Sequence, residues 1–175
     1  MGSFDYLKKS FQQGQKLAQL RTAAKGGDAE AQYALGIKLR DGDGVESDVA
    51  ESVSWFLEAA TQGHVKACEQ LGYFCYGQKQ YSEALKWFFS ASNAGDVNST
   101  YCAGHILTNV TENPEAGLPY LVKAAEAGHL QAMFNAGYCY WKGFGCERNL
   151  PEALKWMQIA AGMGHEDFSS LRSSK

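Results

Sequence analysis

Small and apolar residues recur along this chain at helical spacing, in blocks separated by single glycines. Ala124-Ala125 is followed three residues later by Gly128 and nine residues beyond that by Gly137. The same register returns as Ala23-Ala24, Gly27, Gly36, then as Ala59-Ala60, Gly63, Gly72 and as Ala91-Ser92, Gly95, Gly104. Ala160-Ala161 and Gly164 open a fifth set. The turn glycines stand 36, 32, 33 and 36 residues apart, the spacing of a stacked repeat array in which each unit buries its apolar face against its neighbours. Within a set, the alanines permit close helix packing, and a glycine just past them suits the left-handed position that ends a helix. The next residue is Asp28, His64, Asp96, His129 or His165. Asp is a good N-cap for the following helix, and His in the same slot is expected to act alike. Three of the four histidines therefore read as turn residues and not as catalysts.

The pattern predicts a capping helix over 1–25, interrupted at Gly14, and then four helical hairpins within 26–165, over about 29–62, 65–94, 97–127 and 130–163. A C-terminal cap and polar tail are expected over 166–175. Eight residues before the turn glycine the repeats carry Trp55, Trp87, Tyr120 and Trp156, where the first set has the polar Gln19, as suits a cap facing water. Repeat one has a glycine-rich polar loop, Asp41 to Asp48, that lacks the Asp and Gly an EF-hand needs at its fifth and sixth places. Repeat two tightens its loop to Tyr76–Gln80. In repeat three, Gly117 stands where the others have Ser52, Ala84 and Ala153, Pro114 suits a helix start, and Pro119 predicts a kink. Repeat four restores the long loop, Trp141 to Leu150, before Pro151.

A formal net charge of −3 offers no broad basic surface for nucleic acid or anionic lipid. No apolar run is long enough to span a bilayer and no basic-then-apolar leader is visible, so a cytoplasmic chain is expected. Met1-Gly2-Ser3 has Tyr6 where a myristoylation start wants Ser or Thr. The sequons at Asn98 and Asn109 carry no weight without a secretory signal. Cys68, Cys75, Cys102, Cys139 and Cys146 are odd in number, fall in non-equivalent slots and form no C-x-x-C pair, which predicts reduced thiols and no metal site. Cys102 and His105 could meet on one helix face as a thiolate–imidazole pair, but no third orienting residue is evident. Glu112 and Glu115 are read as complementing a helix dipole. Neither a catalytic residue nor a cofactor is assigned.

The joint signature resembles that of the Sel1-like repeats, relatives of the tetratricopeptide repeat with a longer inner loop. It is carried by Ala59-Ala60 with Gly63, Ala31-Gln32 with Leu35-Gly36, Gly42-Asp-Gly44, and Ala153 with Trp156. Repeats two and three lack the G-x-G loop and are closer to plain tetratricopeptide units. The resemblance implies an all-α fold, a right-handed superhelical solenoid of antiparallel helix pairs with A helices lining a concave face and B helices outside. It also implies a non-catalytic adaptor, scaffold, chaperone or inhibitor that binds a peptide or protein. Groove positions then lie six and three residues before the helix A glycine and one, four and five after it. Repeat one contributes Glu30, Tyr33, Ile37, Arg40 and Asp41; repeat two Lys66, Glu69, Tyr73, Tyr76 and Gly77. Repeat three contributes Asn98, Tyr101, His105, Thr108 and Asn109; repeat four Gln131, Phe134, Tyr138, Trp141 and Lys142. The binding set expected from these is Tyr33, Arg40, Glu69, Tyr73, Tyr76, Tyr101, His105, Phe134, Tyr138 and Trp141, an aromatic groove with few charges of the composition enriched at protein interfaces. Some rings are expected to pack between helices instead. Two rival classes remain open: a lactam-binding or lactam-hydrolysing enzyme like the family's cysteine-rich bacterial branch, whose regularly paired cysteines are not matched here, and a self-assembling array.

Overall fold

The computed structural model describes residues 3–163, with side chains from residue 11 onward, so the expected C-terminal tail and His165 lie outside the described residues. Among those described, the chain is nine helices and no strand: α1 (Ser3–Lys25), α2 (Ala29–Asp41), α3 (Val49–Thr61), α4 (Val65–Gly77), α5 (Tyr81–Asn93), α6 (Val97–Asn109), α7 (Pro114–Glu126), α8 (Leu130–Lys142) and α9 (Leu150–Gly162). Even-numbered helices open each repeat as helix A and odd-numbered ones from α3 close it as helix B. The chain divides by internal contacts into two compact units, Met1–Phe74 and Cys75–Lys175.

The turn glycines do what their spacing demands. Gly27, Gly63, Gly95 and Gly128 all adopt positive φ, between 85° and 92°, a region costly for any residue with a β-carbon. The residue that follows reaches back to the helix just ended: the Asp28, His64, Asp96 and His129 amides donate to the carbonyls of Ala23, Ala59, Ala91 and Ala124 at 3.0–3.2 Å. Its side chain then caps the next helix. Asp28 and Asp96 accept the Ala31 and Ser99 amides at 2.8 Å. His64 and His129 accept those of Ala67 and Ala132 through Nδ1 at 3.1 and 3.2 Å. Histidine thus takes over the aspartate's role, as its slot predicts.

In the first unit α1 and α3 pack on α2. Leu35 and Leu39 are buried with Ala24 and Ala31. Gln32, also buried, donates to the Ala24 carbonyl at 3.1 Å and ties α2 to the end of α1. Helix α3 lies so close to α2 that a β-carbon on Gly36 would sit 2.6 Å from Phe56 Cε1. Ser52 donates to the Gly36 carbonyl at 2.7 Å across the same contact. Contrary to expectation α1 runs through Gly14 without a break; nothing lies within 4 Å of that glycine, and one glycine costs a helix only about 1 kcal/mol. Gln19 is exposed, as a cap residue should be.

In the second unit each helix from α5 to α9 packs on the next. The α6–α7 contact rests on two glycines. A β-carbon on Gly104 would meet the Leu121 amide nitrogen at 2.9 Å, and one on Gly117 would overlap Thr108 Oγ1. Fully buried Leu121 belongs to one core with Met133, Cys139 and Trp156, and Phe88 to another with Ile106. In the aromatic slot Trp55, Trp87 and Tyr120 are only half-buried and the residues after them, Phe56, Phe88 and Leu121, are deeper, whereas in repeat four Trp156 is itself buried and Met157 is not. Helix α7 continues as one 13-residue element through Pro119, which is exposed.

Candidate functional site: an uncharged cleft between α6 and α8

Tyr101, His105 and Asn109 follow one another at intervals of four along α6, and Gln131, Phe134, Asn135 and Tyr138 do so at three and four along α8, so each set lies on one helix face. The two faces meet in a cleft of about 330 Å³ that also includes Leu121, Thr108, Cys139 and Phe144. No Asp, Glu, Lys or Arg lines it. Four of the ten residues expected to bind, Tyr101, His105, Phe134 and Tyr138, are therefore brought together. Trp141 adjoins them, edge-on to Tyr138 with centroids 5.9 Å apart and with Lys142 Nζ 4.0 Å above its own ring.

The polar groups of the cleft are held by one another. Gln131 Nε2 donates to Asn135 Oδ1 at 3.3 Å, and the Asn135 side chain stands beside the Tyr101 phenol. Asn109 Nδ2 lies 3.0 Å from His105 Nδ1. Tyr101 stacks on His129, the cap of α8, with centroids 4.3 Å apart and planes 18° from parallel. Burial lowers the His105 and His129 pKa values below the ordinary imidazole value, so both rings are neutral near pH 7. The Tyr101 pKa is raised, first by burial. Thr108, expected in the groove, lines the cleft but is only 2% exposed, packed against Gly117 with its hydroxyl without a hydrogen-bond partner.

Phe144, Asn135 and the framing Leu121 were not among the expected residues. Phe144 comes from the α8–α9 loop. Its amide and that of Gly143 both donate to the Cys139 carbonyl. Gly145, at φ 78°, then runs so close to the start of α7 that a β-carbon would overlap the Pro114 carbonyl. The loop is thereby clamped, with Phe144 at the rim of the cleft. The signal available in sequence was a large ring between two glycines, where repeat one has Asp43 between Gly42 and Gly44.

In the first unit, Tyr33 is half-buried and stacks on His64 with centroids 4.6 Å apart, repeating the Tyr101–His129 arrangement. Arg40 is exposed, paired with Asp41 at 2.7 Å and hydrogen-bonded to Gln70. Glu69, expected to face the groove, is only 6% exposed and accepts from Lys66 at 2.9 Å. Tyr73 is exposed. In the second unit Tyr76 is exposed and sits edge-on to Tyr81 with centroids 5.7 Å apart. The acidic loop of repeat one is occupied by ordinary interactions: Asp43 pairs with Lys38 at 2.7 Å and Asp48 caps α3.

Burial pushes the Cys139 thiol up to about 11 and also raises Cys75 and Cys146. Among the described residues no group of three or more His, Cys, Asp or Glu could hold a metal ion, and no helix is long and apolar enough to cross a membrane.

The family model of the Sel1 repeat matches residues 29–64, 65–96, 100–129 and 130–165. Over 151 residues the chain is 32% identical to the DAP3-binding cell death enhancer 1 of Mus musculus, a match covering 82% of this chain and 30% of that protein. Over 157 residues it is 30% identical to a chitin synthase regulator of Saccharomyces cerevisiae, covering 81% and 22%. The chain thus spans less than a third of these curated relatives. Among solved structures it is similar to a Sel1 repeat protein from Oxalobacter formigenes, with a TM-score of 0.79 and 29% identity over 89% of this chain and 67% of that one. A protective antigen of uropathogenic Escherichia coli strains displaying an SLR fold gives 0.76 and 27%, over 85% and 33%.

Proposed function

Because the chain belongs to the Sel1 repeat family, an all-α repeat solenoid whose members are generally protein-interaction modules, we propose that it is a non-catalytic module that binds a partner protein on the helix A face, through the cleft between α6 and α8. The observation that carries this reading is the cleft itself. Its rings are gathered beside paired amides, and its lining has no Asp, Glu, Lys or Arg. Aromatic side chains with a polar handle bury large areas at little entropic cost, which is what interface anchors require. The names of two relatives, one a binding protein and one a regulator, agree with such a role.

The test is photo-crosslinking. A benzophenone amino acid replaces Tyr138 in the cleft or, as the control, Leu154, which is 56% exposed on α9. Crosslinks to one partner from position 138 and not from 154 support the reading. The opposite pattern moves the interface to the B helices. Turnover of nitrocefin would favour the lactam-hydrolysing alternative, and concentration-dependent size in light scattering the self-assembling one.

A further inference from the structure

Resting on that reading, we infer that the cleft selects an extended, uncharged peptide segment of the partner. One aromatic or aliphatic side chain seats among Phe134, Tyr138 and Phe144, and the adjoining main chain is held by the side-chain amides of Asn135 and Asn109. Electrostatics sets the first requirement. A charged anchor would leave water for a site where no Asp, Glu, Lys or Arg can pair with it and where His105 is kept neutral by burial, and burying an unpaired charge is heavily penalised. A free carboxylate is disfavoured for the same reason.

The polar groups set the second. An amide side chain carries both donors and an acceptor, the pair that a peptide unit presents along an extended strand. The bond to Gln131 holds Asn135 in place, and Asn109 is steadied by His105, so ordering the site costs little on binding.

Size and exposure set the third. About 330 Å³ is near the lower end of ligand pockets, roughly 300–1,000 Å³, room for one large side chain and its main chain. Tyr138 and Phe144 are 43% and 40% exposed at the rim, apolar surface that such an anchor would cover. Because Gly145 is locked against Pro114, Phe144 is presented by a clamped loop.

Random heptapeptides displayed on phage are selected on the whole chain, and the winners are measured by fluorescence anisotropy as N-acetylated, C-amidated peptides. Selected peptides should share one apolar or aromatic position with uncharged neighbours. Replacing that anchor by Glu or Lys, or methylating the adjoining backbone nitrogen, should weaken binding about tenfold or more, as loss of a buried anchor or hydrogen bond does. The surface change Phe144→Ser should do the same with the thermal transition unmoved, and Asn135→Leu is the second variant. Selection of charged anchors, indifference to N-methylation, full affinity in folded Phe144→Ser, or no selected peptide would each overturn the inference. So would self-association abolished by Phe144→Ser, since the occupant would then be a second copy. If crosslinks from position 138 to a partner persist in any of these cases, only the peptide specificity fails; if they too are absent, the proposed function fails with it.

Discussion

Exchanging the histidine that caps α8 for the aspartate used in other repeats should remove a specific part of the protein's acid sensitivity. His129 accepts the Ala132 amide through Nδ1 at 3.2 Å, which requires a neutral ring with its proton on Nε2. Protonation would turn the acceptor into a donor facing an N–H group and set a positive charge at a helix N-terminus. Burial already lowers the pKa of the folded ring below its unfolded value of about 6.5. The sign follows: the contribution is fully present above the unfolded pKa and is lost as pH falls through the folded one. Its size is that of an N-cap, about 1 kcal/mol, with a further ~0.5 kcal/mol from the dipole. Asp28 and Asp96 make the equivalent bond at 2.8 Å, and an aspartate side chain, with a model-peptide value of about 3.9, has no imidazole proton to gain between pH 7.5 and 5.0. His129→Asp should therefore lie within about 1 kcal/mol of the parent at pH 7.5, the difference reflecting the lost stack on Tyr101. Urea denaturation at pH 7.5 and pH 5.0 measures both. The parent should lose about 1 kcal/mol more than the variant on acidification, the other histidines being common to the two. Equal losses would refute the assignment of His129 as a neutral cap.

Gly36→Ala places a methyl group 2.6 Å from Phe56 Cε1 and should destabilise by roughly 1–3 kcal/mol as overpacking, read by chemical denaturation; an unchanged midpoint would mean the α2–α3 contact is looser than described. Cys139, buried with its thiol pushed up to about 11, should resist iodoacetamide at about pH 8 in the native state and react on unfolding, which peptide mass spectrometry resolves. Rapid native labelling would contradict its placement.

The parts of this fold that were legible in sequence are those where local backbone geometry dictates residue type. A positive φ writes glycine at 27, 63, 95 and 128, and an open helix start writes Asp or His one residue later. Inter-helix geometry is less legible. Phe56, Phe88 and Leu121 are deeper than Trp55, Trp87 and Tyr120 beside them, while Trp156 in the same slot is buried, because burial depends on how neighbouring helices cross, which the periodicity of one helix does not report. Glu69 falls inside for the same reason, although its register matches Tyr101 and Phe134, which line the cleft. Tyr33 and Tyr101 were legible as aromatic positions on helix A, but their stacking on the next repeat's histidine joins residues 31 and 28 apart in sequence. Phe144 was not legible because it belongs to a loop whose path is set by contact with α7.

The central claim is most directly tested by titration calorimetry of the crosslinked partner against the parent and the Tyr138→Ala/Trp141→Ala variant. These rings meet edge to face with centroids 5.9 Å apart beside the cleft, and their joint removal should leave helicity nearly intact while costing about 2 kcal/mol or more of binding, as hot-spot anchors do. Undiminished affinity in the folded double variant would contradict the account and place the interface elsewhere.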